Sequence, residues 1–259
     1  MTRNYFRVLL VGVIALMAVF SAAVRVNSVY SAHPIFIEGE RDFDGDGRTG
    51  AAENTDGNDG IFGTINAALN TAGPAGLGQN GKATIVTSGR FFETVVITGP
   101  VTLEAAYGVE ADVDGFNPPA GGPQDRRAAP GIVVNAMNNV VNIINIKSRN
   151  WTDGIRILNG RVNIINCAVE TNIGAPMATT PSWGINVLNG IAVISRTLVT
   201  NNRNGGIAFQ GGSGTVTDSV VSYHATGTGI VNGGNTTAVT QRANTFAGNA
   251  TNISGVSSQ

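Results

Sequence analysis

Residues 154–172 read GIRILNGRVNIINCAVETN, and residues 184–202 read GINVLNGIAVISRTLVTNN. Set beneath them, residues 206–224 (GIAFQGGSGTVTDSVVSYH) keep apolar, polar and turn positions in the same order. Gly-Ile recurs at Gly131, Gly154, Gly184, Gly206 and Gly229, at spacings of 23, 30, 22 and 23 residues. Ile155/Ile157, Ile185/Val187 and Ile207/Phe209 alternate with residues of the opposite face, the period-2 signature of a short strand buried on one side. A glycine turn follows (Asn159-Gly160, Asn189-Gly190, Gly211-Gly212), then a second short strand, then an apolar point at Val169, Val199 and Val221. The apolar positions keep one order and one direction through every repeat, so hairpins do not fit. Stacked turns of chain bury them most simply, which predicts an all-β solenoid of parallel strands whose coils touch only their neighbours.

Two columns stand out across the rows. Asn172, Asn202 and His224 share one, and the expected role is capping of backbone groups at a corner. Cys167, Thr197 and Ser219 share the other, where a free cysteine reads as a small core residue. The many glycines are expected at corners, where they tolerate positive φ. Upstream, residues 82–105 (KATIVTSGRFFETVVITGPVTLEA) predict strands at 82–86, 94–97 and 101–103. Before them, residues 61–72 (IFGTINAALNTA) place Ile65, Leu69 and an alanine pair on one helical face. That helix is expected to cover the open N-terminal end of the stack, because an uncovered end exposes core and unpaired strand edges.

The order of TINAAL helix, Gly-rich turn, TIVTSGRFFETVVITGPVTLEA and Gly-Ile coils resembles the right-handed parallel β-helix family, the pectate-lyase-like superfamily, over about residues 61–254. The resemblance implies a single right-handed parallel β-helix with a short N-terminal capping helix. It does not carry over an activity. Asn150-Trp151-Thr152-Asp153 comes nearest to one polygalacturonase motif, and the other catalytic sets of pectate lyases, polygalacturonases and methylesterases are not spelled out.

Composition agrees with a packed, exported rod. The 259 residues hold 35 glycines, 13% charged and 42% hydrophobic residues, and a net charge of -1, which excludes a charged disordered chain. Lys82 and Lys147 are the only lysines, so the basic clustering that nucleic acid requires is lacking. Cys167 is the single cysteine and admits no internal disulfide. Arg3 and Arg7 precede an apolar run at 8–20 and small residues at 21–23, the order of a secretory signal peptide. The expected plan is a signal and boundary at 1–31, an acidic linker at 32–60, the β-helix at 61–254 and a tail at 255–259. Export places the protein outside the cell, at the surface or in the periplasm, with no membrane span after signal removal.

The linker holds Asp42-Phe43-Asp44-Gly45-Asp46-Gly47 with Glu53 beyond it, the D-x-D-x-D-G-x5-E spacing of a calcium loop. Carboxylates of Asp42, Asp44 and Asp46, the Arg48 carbonyl and a bidentate Glu53 would supply the hard oxygens that Ca²⁺ takes, in a structural role. Finally, insertions at 109–130 and 174–183 break the coil period before the same strand. They bring Trp151, Asp153, Arg156, Trp183, Arg126 and Arg127 toward one corner, where aromatic faces beside Asp and Arg suit a sugar ring. The functional expectation is therefore a binding or structural protein contacting polysaccharide. The rivals are a polysaccharide lyase or glycoside hydrolase, and a self-associating surface protein.

Overall fold

The computed structural model describes residues 35–37, 61–62, 64–70, 81–116, 127–174, 181–234 and 238–258. The signal-like segment, the acidic loop with Asp42, Asp44, Asp46, Arg48 and Glu53, and Arg126 lie outside these residues. Among the described residues the strands form a 15-stranded and a 7-stranded sheet, both paired in parallel. Successive coils have the same three strands. One coil is Trp183–Val187, Ile191–Ser195 and Leu198–Thr200, and the next is Gly205–Phe209, Ser213–Thr217 and Val220–Ser222. First and second strands build the larger sheet and third strands the smaller one. In two coils the first and second strands run on as Ile132–Ile144 and Ile155–Ile165, and the sheet curls through register shifts around Asn159. The arrangement is a parallel, solenoid-like repeat.

Register puts like on like. Ile132, Ile155, Ile185, Ile207, Ile230 and Ile253 form one file, of which the first five are buried at 1% exposure or less. Val169, Val199 and Val221 form another. Each such side chain, removed from water, contributes about 1.5–3 kcal/mol, so the ladder of branched aliphatics is the main stabilising term.

The corners carry positive φ, as expected. Five of the seven third strands are flanked by two residues of positive φ, five apart: Asn145/Asn150, Asn166/Thr171, Arg196/Asn201, Asp218/Tyr223 and Ala243/Gly248. Asn and Gly enter this left-handed region at low cost, and the geometry recurs even where Thr, Arg, Tyr or Ala fills it. The Gly-Ile glycines are not among the positive-φ residues. They are required by close approach instead. A Cβ on Gly154 would stand 2.4 Å from Val169 Cγ1 and 2.8 Å from the Gly184 carbonyl oxygen, and one on Gly206 would meet Val221 Cγ1 at 2.6 Å.

Just inside the second of these corners runs a buried column. Asn172 Oδ1 accepts the Trp151 N–H, Asn202 Oδ1 accepts the Asn172 N–H, His224 Nδ1 accepts the Asn202 N–H, and Asn249 Oδ1 accepts the His224 N–H. The column of Cys167, Thr197, Ser219 and Asn244 does the same between second and third strands.

The expected helix is shorter than 61–72: it spans Ile65–Asn70, while Ile61–Phe62 is a strand paired with Ile35–Ile37. Thr64 Oγ1 accepts the Ala67 N–H, and the Glu93 carboxylate accepts those of Ile65 and Asn66, so the helix start is satisfied by a residue from a neighbouring coil. Ile65 and Ala68 are buried. At the other end, Ser257–Ser258, expected as tail, pairs with Thr240 and Gln241 and continues the stack. No helix of the described residues is long and apolar enough to cross a membrane.

Candidate functional site

The corner expected to bind sugar is largely interior. Trp151 is fully buried, and its Nε1 donates to the Val113 carbonyl at 2.9 Å. It follows the positive-φ Asn150 as Asn172 follows Thr171, so it stands in the inward column. Glycines make room for it: a Cβ on Gly131 would lie 2.6 Å from its Cδ1. Trp151 therefore offers no ring face to a ligand, contrary to expectation.

Asp153 is also buried, and it joins two coils. Its Oδ1 accepts the Trp183 N–H at 3.0 Å, and its Oδ2 accepts Arg156 Nε at 2.6 Å and Asn186 Nδ2 at 3.1 Å. The structure thus brings together Asp153, Arg156 and the Trp183 backbone, as a satisfied ion pair that locks coil to coil. The Trp183 ring is half-buried over Gly205. The Arg127 guanidinium lies 4.7 Å over the Phe116 ring.

The richest surface chemistry lies on the smaller sheet. Its outward residues alternate in sign from coil to coil. Arg90, Asp112 and Lys147 stand in one rank, and Asp114, Arg149 and Glu170 in the next. Arg149 Nη2 pairs with Asp112 Oδ2 at 2.6 Å and its Nε with Asp114 Oδ2 at 3.1 Å, Arg90 pairs with Asp114, and Lys147 with Glu170 at 2.6 Å. Burial lifts the Asp112 carboxyl above its ordinary pKa against the pull of Arg149. Burial also works against the Arg149 charge, but Asp112, Asp114 and Glu170 outweigh it and hold the guanidinium protonated more firmly than usual. The cations are the more exposed partners, at 39% for Arg90 and 38% for Lys147, over an Asp114 that is wholly covered.

This lattice floors a groove of about 780 Å³. One wall is the turn at 106–110, fixed by Val109 N–H to Ala106 O at 3.0 Å, Glu110 N–H to Ser88 Oγ at 2.9 Å and Gly89 N–H to Glu110 O at 3.0 Å. Tyr107 projects from that turn into solvent, fully exposed. Asn145 and Asn166, linked by an amide hydrogen bond of 2.7 Å, also line the groove, and Asn145 donates back to the Ala105 carbonyl beside the turn. A second groove, of about 460 Å³, follows the other edge of the sheet beside Arg127, Arg203 and Tyr223.

None of Tyr107, Arg90, Lys147, Arg149 or Tyr223 was singled out from the sequence. The signal for the lattice was present: once coils are aligned on the third strand, charges of opposite sign fall on successive rows. Cys167 and His224 are buried in their columns, as expected of structural residues. Burial lowers the His224 pKa and pushes the Cys167 thiol up to about 11. Among the described residues no trio of His, Cys, Asp or Glu is placed to hold a metal ion. No family model, curated protein or solved structure matches the chain.

Proposed function

We propose that this is an exported right-handed parallel β-helix protein, of the pectate-lyase-like architecture, that binds an uncharged polysaccharide in the groove beside Tyr107. The observation that carries the reading is an aromatic ring held wholly in solvent, on a hydrogen-bonded turn, at the rim of a groove floored by side chains already fixed by ion pairs. A pyranose presents a C–H face that stacks on such a ring and hydroxyls that bond to charged and amide groups. Because the lattice holds its own donors and acceptors in place, little ordering entropy is lost on binding. Positive and negative groups nearly balance on this face, which favours a neutral polymer over an acidic one. In the same reading the helix Ile65–Asn70 covers the end of the stack, and the Asp42 to Glu53 loop holds a structural Ca²⁺.

Affinity electrophoresis tests the reading, in gels cast with hydroxyethylcellulose, dextran or polygalacturonate. Retardation is expected in a neutral-glucan gel, and Tyr107→Ala weakens it without lowering Tm, since the ring packs on nothing. Mobility equal to that in plain gel for all three polymers refutes the proposal, as does a Tyr107→Ala chain retarded like wild type.

A further inference from the structure

Five coils place a residue of positive φ after the third strand, and the occupants are Asn150, Thr171, Asn201, Tyr223 and Gly248. Asn and Gly suit the left-handed region; a bulky aromatic there is an outlier. Such strain persists where the surroundings impose it, and it marks positions worth reading for function. Tyr223, at φ 59°, also keeps 64% of its surface exposed, so packing does not explain its presence.

Its ring is nonetheless seated. A Cβ on Gly248, one coil on, would lie 2.8 Å from Tyr223 Cδ1 and 3.3 Å from Cε1. The glycine leaves a bed on which one side of the ring rests while the rest faces out. The ring borders the second groove, which Asn201, Arg203, Thr226, Ile173 and Arg127 also line. An aromatic platform beside amide, hydroxyl and guanidinium groups is the same chemistry as the Tyr107 groove. The two grooves share no lining residue. They follow opposite edges of the smaller sheet, and the third strands beside Tyr107 and Tyr223 are four steps apart, or about 19 Å at ~4.8 Å per strand.

We infer that Tyr223 is the stacking platform of a second glycan site, so that one chain holds a neutral polysaccharide at two points. The inference rests on the polysaccharide reading of the Tyr107 groove and adds bivalency to it. Two tethered contacts on one polymer bind far more tightly than either alone. The strain at Tyr223 is then the cost of presenting a ring where the preceding coil presents the amide of Asn201 and the following one only Gly248.

The test is Tyr223→Asn, which installs the residue that Asn150 and Asn201 already supply at this corner. With the backbone relaxed, Tm stays level or rises, while retardation in hydroxyethylcellulose or dextran gels weakens at least ~10-fold through lost bivalency. Tyr223→Phe keeps the ring and keeps the retardation, which separates stacking from any general effect of substitution. The double variant carrying Tyr107→Ala migrates as in plain gel. Retardation unchanged in Tyr223→Asn but abolished in Tyr107→Ala overturns the second site and leaves the first standing. Tyr223→Phe behaving like Tyr223→Asn overturns the stacking role. A wild-type chain retarded in none of the gels overturns both sites together.

Discussion

Lowering the pH probes the buried column at the point where it carries a titratable group, His224. With Nδ1 unprotonated, the ring accepts the Asn202 N–H at 3.1 Å. A proton there turns Nδ1 into a donor, able to point only at the Asn202 carbonyl 3.2 Å away, and the Asn202 N–H loses its acceptor. Orphaning one buried donor costs about 1–3 kcal/mol. Burial is the main reason that the folded pKa lies below the ordinary 6.5, opposed by backbone hydrogen bonds to Asn202 and Val199. The packed neighbours Val199, Asn202, Gly206 and Asn249 carry no charge to offset it. The unfolded chain therefore takes up this proton first, and stability is whole above about pH 6.5 and falls as the pH drops below it. One group loses at most ~1.4 kcal/mol per pH unit, so the loss by about pH 5, before most carboxylates titrate, is bounded at about 2 kcal/mol. At about 2–4 °C per kcal/mol for a chain of this size, Tm drops by no more than about 8 °C. The assay is thermal unfolding from about pH 8 to pH 5, on wild type and on His224→Asn. The asparagine keeps an acceptor for the Asn202 N–H, as Asn202 itself does for Asn172, and flattens the profile. A His224→Asn chain that loses stability with acid as steeply as wild type refutes the reasoning.

Other outcomes follow from the packing. Gly154→Ala drives a Cβ against Val169 and the Gly184 carbonyl and lowers stability by about 1–3 kcal/mol; an unchanged urea midpoint would show that the coils are not so close. Asp153→Ala strips acceptors from the Trp183 N–H, Asn186 and Arg156 and costs about 1–3 kcal/mol, read from the same midpoint. Cys167, buried and with its thiol pushed to about 11, stays unreactive to a disulfide reagent at neutral pH until the chain unfolds; labelling of the native protein at the rate of a free thiol contradicts this. Chelator lowers Tm if the Asp42 to Glu53 loop holds calcium, and an identical Tm rules that site out.

Much of the fold was legible because a stacked coil repeats its side-chain pattern. The Gly-Ile rows gave the register of the Ile155, Ile185 and Ile207 file, and the Asn172, Asn202 and His224 column is one column in three dimensions. The reason for the Gly-Ile glycines differs from expectation, since their lack of a Cβ matters for contact between coils and not for φ, whereas the turn glycines Gly160 and Gly190 take positive φ as expected. Trp151 was misread for a related reason. Tryptophan near an insertion suggests a binding surface, yet counting 21 residues back from Asn172 puts it in the inward column. The candidate site was the least legible part. Tyr107 belongs to a turn in a coil whose spacing departs from the repeat, and the Arg90, Asp112, Lys147 rank emerges only when strands distant in sequence lie side by side.

The two interior columns have a direction. From Trp151 to Asn249, and from Cys167 to Asn244, every backbone N–H donates to a side chain of the following coil. Cutting the stack between two of these coils would thus bare these amide hydrogens on the earlier fragment, and on the later one the side-chain acceptors together with Asn amides that donate back to carbonyls such as those of Val169, Val216 and Val221. The stack is polar along its axis: its two broken faces carry different groups, main-chain donors on one and the side chains that received them on the other.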